Sequence, residues 1–179
     1  MDVTFTKMSG RRYRMAVVRE IGPMLEPRQG PGYDDHLPHD AVHFLVEAEA
    51  RLRGGAFGRI AAGHNNIFTP ADPAVRRRQN RREAKWSPSR VEHNDMERSE
   101  RLASACSRLW ELRAGHCSEL PDWFPLLAPD LVDPSLIERI LTRLDAFARR
   151  WHTLPVDGSI TLTWPLPVKA KGRRMTTAR

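Results

Sequence analysis

Between Asp133 and Trp151 the chain carries an unbroken apolar stripe. Leu136, Ile137, Ile140, Leu141, Leu144, Phe147, Ala148 and Trp151 recur at three- and four-residue spacing. That period belongs to a helix with one wide apolar face, and such a face is stable only when another element covers it. Asp133 suits the cap, and Pro134 suits the first helical position, where its missing N–H is no loss.

The covering surface is legible at the two ends of the chain. Val3 and Phe5 alternate with Thr4 and Thr6, Ser9-Gly10 supplies a turn, and Tyr13, Met15 and Val17 alternate on the return. This predicts a β-hairpin over 3–18. Ile160, Leu162 and Trp164 alternate with Thr161 and Thr163, the pattern of a half-buried strand. Two further helices are expected. One starts near Pro38, with Asp34 or Asp35 as its cap, runs through Val42, Leu45, Val46 and Leu52, and ends at Gly54-Gly55. A short helical piece over 56–62 follows it. The other runs from about Asp95 to Ala114, opened by Asn94 and Glu97 in the form of a capping box and stopped by Gly115. The resulting order, ββα…ααβ, predicts an α+β fold: a three-stranded antiparallel sheet, the last strand beside the N-terminal hairpin, with about three helices on one face.

Charge divides the chain more sharply than hydropathy does. From Arg76 to Arg90 there are seven Lys or Arg against one acid, Glu83, a segment charge of +6. Residues 168–179 hold five bases and no acid, and because the whole chain is +7 the remainder is −4. The expected organisation is therefore a domain formed by 1–64 and 94–167, a flexible basic linker over 65–93 with prolines at 70, 73 and 88, and a disordered basic tail over 168–179. Bases at this density attract phosphates without regard to sequence, which makes Arg76, Arg77, Arg78, Arg81, Arg82 and Lys85 candidate contacts to nucleic acid or an acidic protein. Trp86 is the large apolar residue of the segment and a candidate to stack on an exposed base. No reading head such as a helix-turn-helix or zinc knuckle accompanies it. Cys106 and Cys117 are too few for a disulfide framework, no apolar run is long enough to span a membrane, and the N-terminus lacks the pattern of a signal peptide, so a cytoplasmic location is expected.

One short segment concentrates chemistry. Between Tyr33 and Glu47 lie three of the seven histidines, and a helix from Pro38 places His39, His43 and Glu47 at i, i+4 and i+8 along one flank. Two imidazoles one turn apart can chelate a divalent metal such as zinc, with Glu47 as third ligand or orienting group. His39-Asp40-x-x-His43 resembles the His-Glu-x-x-His motif of zinc metalloproteases, with Asp40 in the place of the glutamate that activates water; the resemblance covers five residues, and His64, His93 and His116 are candidates for its distant ligand. The glycine-rich run 54–63 lacks the Lys-Ser/Thr of a phosphate loop and follows a helix, so Phe57 and Ile60 read as core anchors. The stretch from Gly32 to Glu47, with Gly54 to Gly58 after it, resembles a family of uncharacterised small bacterial proteins of the actinobacterial type, which implies a bacterial protein and no particular reaction. The expected function is a non-enzymatic binding or regulatory module that meets an acidic partner through its basic segments and needs no cofactor. The alternative is a metal-dependent hydrolase, with His39, His43 and Glu47 on the metal and Asp40 as base.

Overall fold

A computed structural model describes residues 1–31, 36–64, 67–124 and 133–167. Three strands of its sheet follow the alternation in the sequence: β1 (Asp2–Met8), β2 (Arg12–Val18) and, at the far end of the chain, β4 (Ser159–Thr163), with a two-residue β3 (Arg28–Gln29) between them in sequence. All pairings are antiparallel and the strand order is β3-β2-β1-β4. The last strand thus lies beside the hairpin as expected, Val3 opposite Leu162 and Phe5 opposite Ile160. The sheet has four strands rather than three because Arg28 and Gln29, within a stretch that holds Pro23, Pro27 and Pro31, pair with Met15 and Arg14. Two residues are too few to leave an alternation in the sequence. On the outer face the polar partners bond directly, Thr4 to Thr161 at 2.8 Å and Thr6 to Ser159 at 2.9 Å.

The inner face of the sheet is covered by α5 (Pro134–Thr153) and α1 (His39–Glu49). Asp133 caps α5 by accepting from the N–H groups of Ser135 and Leu136, and the stripe read from the sequence is buried throughout. Phe5 meets Phe147 edge to face at 6.0 Å. A six-residue α2 (Ala56–Ala61) seats Phe57 and Ile60 in the core, and Phe57 meets Phe44 of α1 at 5.1 Å. A 24-residue α4 (Arg90–Arg113) packs across α1 and α5. It is fastened to α5 by Trp110 Nε1 donating to Asp145 at 2.8 Å and by Arg113 paired with Asp145 and Glu138. Among the described residues no helix is long and apolar enough to cross a membrane.

Two boundaries differ from expectation. The first is the start of α4, one turn earlier than Asp95. Ser89 and Glu92 form the capping box there: the Ser89 hydroxyl accepts from Glu92 N–H and the Glu92 carboxylate accepts from Ser89 N–H at 2.8 Å. Ser89→Ala should therefore cost about 1 kcal/mol, read as a lower urea midpoint with an unchanged slope. The second concerns 65–93, expected to lack secondary structure. Residues Pro73–Ala84 form α3, capped by Asp72, whose carboxylate accepts from Ala74 N–H at 2.8 Å, with Pro73 opening the first turn. Arg, Gln, Glu and Ala are strong helix formers, so this stretch needs no apolar face to be helical. Polar side chains dock it: Arg76 pairs with Glu26 at 2.8 Å, while Glu83 accepts from Gln79 and meets His64 at 3.3 Å. In the turn after α4, Trp123 is exposed and Phe124 half-buried. Asp34 and Asp35, Pro125 to Leu127 and the tail 168–179 lie outside the described residues.

Candidate functional site

α1 buries a carboxylate that the apolar pattern alone would not place there. Glu47 is fully buried and its two oxygens cap α2: Oε1 accepts from Ala56 N–H at 2.9 Å, and Oε2 accepts from Phe57 N–H at 2.9 Å and Gly58 N–H at 3.3 Å. Three of the four free N–H groups of that helix start are thereby satisfied. Gly55 makes the approach feasible, because a Cβ there would stand 2.3 Å from the Glu47 carboxyl carbon. A fourth donor is the hydroxyl of buried Ser99 on α4, 2.9 Å from Oε1. Burial pushes the Glu47 carboxyl up to about 7, and the bonds from Ser99, Phe57, Gly58 and Ala56 hold it from going further.

Ser99 links this carboxylate to His43, one turn earlier on α1. Nδ1 of His43 lies 3.2 Å from Ser99 Oγ. A serine has one proton to give, and a buried carboxylate is the stronger acceptor. With that proton on Glu47, the His43–Ser99 contact requires Nδ1–H to donate, and Nε2 is left with a bare lone pair. Nε2 lies 3.7 Å from Glu100 Oε2. Burial first, and His39 second, hold His43 down at about 4, with Asp40 pulling the other way, so the imidazole is neutral at physiological pH.

His43 lines a cavity of about 390 Å³ between the start of α1 and the middle of α4, together with His36, His39, Glu100, Arg108 and Trp110. Arg108 is tied to Glu111 of the same helix. Ring contacts extend the cluster of imidazoles. His36 stacks on His116 at 3.8 Å with the planes 9° apart, His39 meets His43 at 4.5 Å, and His152 of α5 bonds the His36 carbonyl at 2.8 Å. His152 and Trp110 were not singled out from the sequence, and His116 only as one of three candidates for a distant metal ligand. His152 lies more than thirty residues beyond Trp110 and His116, and His36 more than seventy before them, so no spacing could reveal the group. Only the composite geometry brings them together.

The expected metal set does not assemble. His39 is exposed, and His43 and Glu47 both turn toward Ser99, where the carboxylate is saturated by four donors. Helical spacing put the three on one flank but could not show that Glu47 would be captured by the next helix. Asp40, the expected base, is buried and accepts from Tyr13 Oη at 2.6 Å, away from the cavity lining. The candidates for a further ligand are dispersed: His64 on Glu83, His93 on Glu97, and His116 on His36. Among the described residues no group of three or more His, Cys, Asp or Glu side chains is arranged to hold a metal ion. Burial pushes the Cys106 thiol up to about 12, which keeps it a small hydrophobe.

The basic segment forms the second candidate surface. On α3, Val75, Arg76, Gln79 and Glu83 face the body, while Arg77, Arg78, Arg81 and Lys85 are exposed. At about 100° per residue these four share one arc roughly 100° wide. None of them pairs with a carboxylate among the described residues. Arg82 is exposed on the shoulder of the arc, and Arg76 is committed to Glu26. Trp86, expected to offer its ring to a base, instead lies against the Arg59 guanidinium at 5.1 Å and the His64 ring at 4.5 Å. It helps to hold α3 to the body rather than extending the basic arc. Comparison of the chain with protein-family models, curated proteins and solved structures gives no match.

Proposed function

We propose that the protein is a binding module for an acidic macromolecule, nucleic acid in the first place, and that the outward arc of α3 is its contact surface. The observation that carries this reading is the alignment of Arg77, Arg78, Arg81 and Lys85 on one solvent-facing strip of a capped, docked helix. A flexible linker would have to be ordered when it bound, at a cost in conformational entropy. A helix already held by Asp72, Arg76, Gln79 and Glu83 presents its charges in a fixed array, which raises affinity by removing that cost. The strip supplies Coulombic attraction to phosphates and no means of telling one base from another, so binding is sequence-independent.

The test is fluorescence anisotropy with a labelled DNA duplex across a salt series. Four phosphate contacts give a slope of log K on log salt of about −3 to −4, which is a loss of about a hundredfold over a fourfold rise in salt. Replacing Arg77, Arg78, Arg81 and Lys85 together by alanine should remove most of that slope and nearly all of the binding, with the tail 168–179 left in place. Salt-insensitive binding, or binding that survives the four substitutions, would refute the assignment to α3. Preference for polyglutamate over DNA would move the partner to an acidic protein.

A further inference from the structure

The cavity beside His43 sets two hydrogen-bond acceptors against each other. Nε2 of His43 faces Glu100 Oε2 at 3.7 Å, beyond the length of a hydrogen bond. The tautomer fixed through Ser99 leaves no proton on Nε2, and the carboxylate has none, so nothing between the two groups donates. A donor placed there satisfies both. The charges around the position fix the kind of donor. Glu100 and Glu111 line the cavity from α4 against one guanidinium, Arg108, which Glu111 already holds. His36 and His39 face it from the α1 side. The carboxylates of the site thus outnumber its guanidinium, while the hydroxyls of Ser104 and Ser107 also line it. Leu37, Val42 and Trp110 supply apolar wall.

We infer that this cavity is a binding site for a small organic ammonium ion, whose N–H groups bridge His43 Nε2 and the Glu100 carboxylate while its carbon skeleton lies against Leu37, Val42 and Trp110. The cavity volume of about 390 Å³ suits a compact amine rather than a peptide. A cation near an indole gains a further contribution from the ring. The buried Glu47–Ser99 pair acts here as positioning machinery: it holds His43 in the tautomer that accepts. The inference is independent of α3 and of any nucleic acid.

Isothermal titration calorimetry with benzylamine, at about pH 8 so that Glu47 is ionised, tests it. Benzyl alcohol serves as the uncharged isostere and benzoate as the anion. Benzylamine should bind one to one, with benzyl alcohol weaker by about tenfold or more and benzoate silent. Glu100→Gln should weaken benzylamine by about tenfold with the fold unaltered, since the Glu100 side chain is 63% exposed. The fourfold alanine variant of α3 should bind the amine as the parent does. Nitrogen-15 spectra of the histidines should show Nδ1 of His43 protonated, and Nε2 moving on addition of the amine. Benzylamine no tighter than benzyl alcohol, affinity unaffected by Glu100→Gln, or a proton found on Nε2 in the free protein would overturn the inference.

Discussion

Glu47→Ala should destabilise the fold by about 3–4 kcal/mol, a large share of the ~5–15 kcal/mol that holds a domain of this size together. The carboxylate is the acceptor for three backbone N–H groups at the start of α2 and for the Ser99 hydroxyl. Alanine leaves all four donors without it, at about 1 kcal/mol or more each. Part of that loss is returned because the buried charge no longer has to be desolvated. Glu47→Gln is the informative companion. Its amide oxygen still accepts from two donors, but its nitrogen faces the other two and cannot accept from either. It should therefore lose about half as much as alanine. Urea denaturation checks both, and a Glu47→Ala protein as stable as the parent would show that the cap contributes nothing. Gly55→Ala should act on the same contact from the other side, because the added methyl displaces the carboxylate.

The parts of the fold visible in the sequence are those whose burial is periodic. α5 declares itself through a continuous stripe, a capping Asp133 and Pro134, and all three behave as the physical rules require. β1, β2 and β4 show alternation because one face of the sheet is buried and the other carries threonines paired across strands. α3 has no such signal: its single fully buried residue is Gln79, and it is held by ion pairs and hydrogen bonds to residues about 20 to 50 positions away. Apolar periodicity cannot report a helix that docks through polar contacts. Its composition of strong helix formers between Asp72-Pro73 and Ser87-Pro88 was the available signal, outweighed by the charge and the prolines.

The candidate site divides in the same way. The local sequence supplied His39, His43 and Glu47 and their common helix. It could not supply Ser99, which lies 52 positions beyond Glu47 and determines what both His43 and Glu47 do. A metal reading treats three side chains as free to converge; in the fold two of them are already satisfied by groups from α2 and α4. The basic stretch was legible as charge, but not as an ordered strip with an inward and an outward face. That distinction matters physically, because Arg76 and Trp86 belong to the docking side and Arg77, Arg78, Arg81 and Lys85 to the solvent side.

Burial of Glu47 and His43 also sets a pH response that the intact protein conceals. The Glu47 pKa in the folded state is raised from 4.5 to about 7. Between those values the native state holds a proton that the unfolded chain has released, so this group's contribution is full below the lower value and is lost as pH rises through the upper one. The His43 pKa is lowered from 6.5 to about 4. Here the unfolded chain holds the proton and the native state does not, so the contribution is full above the higher value and is lost as pH falls through the lower one. Each amounts to about 3 kcal/mol over its window. The windows overlap between 4.5 and 6.5, with slopes of opposite sign, and the two contributions cancel there. Single substitutions should uncover them. His43→Asn keeps a donor for Ser99 but cannot titrate; relative to the parent, its stability should fall by about 3 kcal/mol as pH rises across the two windows, because the rising His43 contribution is missing. Glu47→Gln, less stable throughout, should instead gain on the parent by a similar amount over the same rise. The double variant should run parallel to the parent. Urea midpoints at half-unit pH steps decide the matter: two single variants that both track the parent would mean that neither group is shifted, and slopes of the same sign would mean that the two buried groups do not oppose each other.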